Sequence, residues 1–132
     1  MKKIQPNTII YCNTKHVDCK RIKRLLAKAD LSPVGQIFIM DVKDLIKQFP
    51  GDEEVEYDFT EEKYLAKMRN RYEENPQILV AADSIAKYPV DVDNEIGISI
   101  FHELAHHRGI QNEKKAESWA RQRWSELLCK YD

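Results

Sequence analysis

The chain has 132 residues, 42% hydrophobic and 33% charged, and its 21 Lys and Arg against 22 Asp and Glu leave a net charge of −1. That length gives a single domain spanning residues 1–132 with one core, and the near-neutral charge excludes a general electrostatic pull toward nucleic acid or an anionic membrane. No run approaches about 18 apolar residues, Met1–Pro6 lacks the apolar segment of a signal peptide, and three Cys are too few for a disulfide framework, so a cytoplasmic protein with free thiols is expected.

In chain order, Thr8–Tyr11 is a short apolar run that reads as a strand. Val17–Ala29 follows with helical periodicity, Ile22, Leu25 and Leu26 on one side and Lys20, Arg21, Lys23, Arg24 and Lys28 on the other. Such a basic run is more often a solvated face than a phosphate-binding one. Gln36–Met40 predicts a second strand, and Asp41 opens a short helix with Val42, Leu45, Ile46 and Phe49 on one stripe, stopped by Pro50-Gly51. Val55–Phe59 alternates like a half-exposed strand, Glu61–Glu74 carries Leu65, Met68 and Tyr72 at helical spacing, and Gln77–Ala81 is a third apolar strand. Asp93 or Asn94 is placed to cap the next helix, and a last helix from Asn112 to about Leu128 repeats Ala116, Trp119-Ala120, Trp124 and Leu127-Leu128 on its apolar stripe. Cys12, His16 and Cys19 supply three possible zinc ligands in eight residues, one short of a structural zinc site.

The chemistry concentrates in His102-Glu103-Leu104-Ala105-His106, an H-E-x-x-H run at the end of the apolar stretch Ile96–Phe101. On an α-helix, residues four apart lie about 40° apart around the axis and about 6 Å apart along it, so both imidazoles leave one face at a spacing that suits one metal ion. Glu103 sits one position on, where its carboxylate can act as a general base on a water at that metal. Gly109 lets the helix stop and the chain turn back, and Asn112 can cap the following helix with Glu113 in its first turn. A catalytic zinc takes three protein ligands and leaves a fourth position for water, and Glu113 is the nearest acidic candidate for the third. Glu117, one turn later, is placed to accept a hydrogen bond from the other nitrogen of a ligand imidazole.

The run H-E-L-A-H-H-R-G-I-Q-N-E-K-K-A-E-S-W-A resembles the metal-binding core of small gluzincin-type metallopeptidases, the minigluzincins and, more loosely, the ImmA/IrrE-type peptidases. The resemblance spans about Ile98–Ala120. It implies one Zn2+ per chain with Glu113 as third ligand, while Glu117 stands where those cores carry Asn or Asp. It also implies a zincin-like α+β domain: a small mixed sheet packed with helices, an active-site helix, and a C-terminal helix bearing the last ligand. The strand just before the active helix is then an edge strand that pairs with extended substrate, which assigns Leu79, Val80 and Ala81 to substrate binding. A metzincin pattern fits only through Gly109, because Asn112 stands where a third His would be and the last Met is Met68.

The expected activity is zinc-dependent hydrolysis of a protein or peptide, with Glu103 as general base. The alternative is a metal-stabilised protein-interaction module that cleaves nothing. Tyr88, Arg108, Arg121 and Tyr131 are candidates to stabilise the oxyanion, and neither the substrate nor an oligomeric state is legible.

Overall fold

The structure is a computed structural model that describes residues 8–132, so the Met1–Pro6 stretch lies outside the described residues. The chain forms an α+β domain with a four-stranded mixed sheet and, among the described residues, six helices. In order these are β1 (Ile9–Asn13), α1 (Cys19–Leu26), β2 (Gln36–Met40), α2 (Val42–Gln48), α3 (Glu53–Thr60), β3 (Ala66–Arg69), β4 (Gln77–Ala81), α4 (Ala82–Ile85), α5 (Val92–His107) and α6 (Glu113–Tyr131). The strand order is β1-β2-β4-β3. β2 lies parallel to β1 and to β4, and β3 runs antiparallel along the outer side of β4.

Alternation along the two inner strands builds a core on each face of the sheet. Ile37, Ile39, Ile78 and Val80 point into the larger core, against Ile22 and Leu25 of α1, Ile96 and Leu104 of α5, and Trp124 of α6. Phe38, Met40, Leu79 and Ala81 point the other way, onto Leu45 of α2 and Val55 and Phe59 of α3. After a leading Gln, both inner strands are therefore apolar, as expected when helices cover both faces. Arg21 and Arg24 of the basic run tie α1 to the C-terminus, Arg21 at 3.0 Å from Asp93 and 2.6 Å from Asp132, and Arg24 donating to the Tyr131 carbonyl.

The structure corrects several sequence expectations. Val55–Phe59 is helical, because the Asp52 side chain accepts from the Val55 N–H and caps α3, and Val55 and Phe59, one turn apart, are both buried. Glu61–Glu74 is not a helix. Lys63 and Asn70 sit at φ 54° and 57°, and the segment between them becomes β3, pairing Met68 with Ile78, while Tyr72 is left 96% exposed. Leu79, Val80 and Ala81 do not form an edge: β4 is flanked by β2 and β3 and all three side chains are fully buried. The outer strand on that side is β3. Cys12 at the end of β1 and Cys19 at the start of α1 form a disulfide, Cα–Cα 5.5 Å, so only Cys129 is a free thiol. No helix among the described residues is long and apolar enough to cross a membrane.

Candidate metal centre and its cleft

The cap of α5 is Asp91, which accepts from the Asn94 N–H, two residues ahead of the earlier expectation. From there the helix runs through the apolar stretch, with Ile96, Ile100, Phe101 and Leu104 buried, and reaches the surface with His102, Glu103 and His106. Gly97 allows α6 to come close: a Cβ there would fall 2.3 Å from the Trp124 ring, whose Nε1–H donates to Asn94 at 3.0 Å. That contact fixes the separation of the two helices whose other ends carry the polar cluster.

The turn between them is built as the sequence suggests. Gly109 has φ 99°, its N–H donates to the His106 carbonyl, and the Ile110 N–H donates to the Ala105 carbonyl, two bonds that close the helix end. Asn112 then accepts from the Lys115 N–H and opens α6, which places Glu113 in the first turn and Glu117 one turn on. Ala116 and Ala120, both fully buried, lie on the inner stripe of α6.

His102, His106 and Glu113 converge, and one ligand atom from each lies within 4.8 Å of the others. His102 Nε2 and His106 Nε2 are 2.9 Å apart, and each lies 3.0 Å from an oxygen of Glu113. A tetrahedral ion with bonds of roughly 2.0–2.1 Å separates its donors by about 3.3 Å; the two imidazole nitrogens stand a few tenths of an ångström inside that spacing, and Glu113 turns Oε2 toward His102 and Oε1 toward His106. The remaining ring nitrogens are committed elsewhere. His106 Nδ1–H donates to the Ile110 carbonyl at 2.8 Å, and a carbonyl can only accept, so that proton is fixed on Nδ1. His102 Nδ1 faces a Glu117 carboxylate oxygen at 2.8 Å, which holds its proton in the same way. In the neutral rings both lone pairs are therefore on Nε2 and aimed at one point beside the Glu113 carboxylate. The three side chains are close enough to hold one metal ion.

Glu117 is itself held by Arg121 at 2.9 Å. Glu103 stands apart from this network and faces a cleft of about 810 Å³ that it shares with His102, His106 and Glu113. Burial pushes the Glu103 carboxyl above the usual carboxylate range, against the opposing pull of His102, His106 and Arg71. The opposite wall is the outer strand β3 and the turn after it, from Ala66 to Tyr72. At the far end Lys67 is ion-paired with Asp58 and Glu54, and Arg69 with Asp52 at 2.8 Å.

Of the residues singled out from the sequence, the structure brings together His102, Glu103, His106, Glu113 and Glu117. It leaves Leu79, Val80 and Ala81 in the interior of the sheet. None of the four oxyanion candidates lines this cleft: Arg108 binds the Ser32 carbonyl, Arg121 holds Glu117, Tyr131 lies under Lys28, and Tyr88 borders two other hollows. Cys12, His16 and Cys19 do not form a metal site, since the two sulfurs are bonded to each other. Arg71 and the β3 wall were missed; the sequence signal was the hairpin pattern, an Asn-containing polar stretch between Met68 and Ile78. Comparison of the chain with protein families, with curated proteins and with solved structures found no match.

Proposed function

We propose that the protein is a zinc-dependent peptidase with a zincin-like arrangement, acting on extended segments of a protein or peptide. The observation that carries this reading is the pair of imidazoles locked by Ile110 and Glu117 with their Nε2 atoms aimed at one point, beside a carboxylate that binds nothing in the cluster. Two imidazoles and one carboxylate are a donor set that suits zinc. Zinc held there by His102, His106 and Glu113 would supply a Lewis acid that polarises a carbonyl and lowers the pKa of water.

The remaining work falls to the chain itself. Glu103, one helix position from His102, accepts the proton of the attacking water and passes it to the leaving amine. Its burial keeps that carboxyl more basic than an exposed one, which suits it to take the proton. Glu117 and the Ile110 carbonyl hold the rings in one tautomer. The outer edge of β3, rather than β4, is the element to which substrate would add as a further strand, since it borders the cleft and has a neighbour on one side only.

A second reading is a metal clamp with no catalytic role. It is favoured by the ligands coming from both α5 and α6, so that a bound ion would staple the two helices together. One experiment separates the two. Zinc-loaded parent, Glu103→Gln and His102→Ala are compared for bound metal, thermal melting and cleavage of a mixed peptide library. The peptidase reading expects Glu103→Gln to keep fold and metal and to lose roughly 10²–10⁴-fold in rate. It expects His102→Ala to lose metal and activity together. A parent that cleaves nothing, or a Glu103→Gln protein that cleaves equally well, overturns it.

A further inference from the structure

Three cations line the cleft, and they are not equivalent. Lys67 is held by Asp58 and Glu54, and Arg69 by Asp52 and the Gln77 side chain. Arg71 has no ion pair or side-chain hydrogen bond among the described residues, yet it borders the same space as His102, Glu103 and His106. Its place is set by the backbone. Asn70 takes φ 57° at the end of β3, and its carbonyl accepts from the Glu73 N–H, so the chain turns at the cleft mouth with Arg71 inside the turn.

We propose that Arg71 is the anion anchor of the cleft, a specificity-determining residue that selects peptides carrying a carboxylate close to the bond that is cut. The inference rests on the peptidase reading above. A guanidinium presents a planar fork of N–H donors that matches a carboxylate in two parallel bonds. A singly charged carboxylate fits better than a phosphate group, because Glu103 and Glu113 border the same cleft and repel a second negative charge more strongly. The carboxylate has two sources, an Asp or Glu side chain or the C-terminus of the peptide.

The test uses the zinc-loaded full chain and three peptide sets of one parent sequence. One set has internal Glu with an amidated C-terminus, one is neutral inside with a free C-terminus, and one is neutral and amidated. Parent protein should favour one of the first two sets by about ten-fold in KM, and which one it favours names the source of the carboxylate. Arg71→Ala should erase that preference through KM. Arg71→Glu should turn it toward a matched Lys-bearing set, with zinc content equal to that of the parent. The same peptides are also titrated onto zinc-loaded Glu103→Gln, with and without Arg71→Ala, so that the anchor is read without turnover. Absence of cleavage overturns the peptidase reading, whereas a carboxylate preference in binding that depends on Arg71 keeps the anchor. Equal KM and binding for all sets overturns the anchor, as does a fall in kcat common to all sets with KM unaltered.

Discussion

The two ends of the α5–α6 pair are built on opposite principles. At one end Gly97 lies flat against the Trp124 ring, Trp124 is 2% exposed, and its single polar atom is satisfied by Asn94. At the other end two imidazoles and a carboxylate crowd within 3.0 Å, and Glu113 is 76% exposed. Burying a tryptophan stabilises a fold strongly, whereas converging lone pairs contribute little on their own. The helix pair therefore draws its stability from one end, which leaves the other free to be arranged for ligand geometry. The segregation also explains why a half-open site needs no large core of its own.

This contrast can be broken at the apolar end first. Trp124→Ala should cost about 3–5 kcal/mol, and Gly97→Ala, which pushes a methyl into the ring, about 1–3 kcal/mol or somewhat more. Chemical denaturation in the presence of a chelator measures both. His102→Ala under the same conditions should cost only about 1 kcal/mol, the net worth of its hydrogen bond to Glu117. A His102 variant as damaging as the Trp124 one would show that the polar end also holds the fold together.

The polar end can be sharpened by comparing its two carboxylates. Glu113→Ala should reduce metal affinity further than Glu117→Ala, for which a loss of roughly 10–100-fold is expected because the residue acts through His102. Competition with a chromophoric chelator reads both values. The opposite order would move the third ligand one helical turn along α6.

The smallest effect lies in the wall of the cleft. Burial pushes the Asp52 carboxyl up, but the Arg69 guanidinium and the Val55 N–H outweigh it and hold the group below its ordinary value. A carboxyl with a lowered native pKa adds stability above its unfolded value and loses it as pH falls through the native one. Asp52→Asn keeps a residue able to cap α3 and removes the charge. Its melting temperature should consequently fall less steeply than that of the parent as the pH drops below about 4.

Legibility in the sequence followed the range of the interactions. His102, Glu103, His106, Gly109, Asn112 and Glu113 could be placed because helical spacing, a helix stop and a cap are local geometry. The stretch from Val55 to Glu74 was misread in both halves, since runs of five residues satisfy either period and the deciding facts are Asp52 as a cap and Lys63 and Asn70 at positive φ. The edge strand could not be identified, because strand order depends on partners far apart in the chain: Gln36 and Gln77, 41 residues apart, pair across the centre of the sheet. Arg71 looked like any loop charge until the turn at Asn70 set it on the wall of the cleft that Glu103 faces. Cys12 and Cys19 gave no sign of pairing, since seven residues of spacing says nothing about whether the chain between them doubles back.

That difference in range has a kinetic consequence. His102 and Glu113 are 11 residues apart, on a helical hairpin that needs only one tight turn to close. Helical hairpins of this kind form quickly, while parallel pairing across long loops is slow because the loops must be closed before any contact repays the entropy. The ligand-bearing hairpin should accordingly assemble early and wait for the sheet, so that refolding time is governed by β2 finding β4, and mutations that weaken the hairpin slow folding more than they speed unfolding.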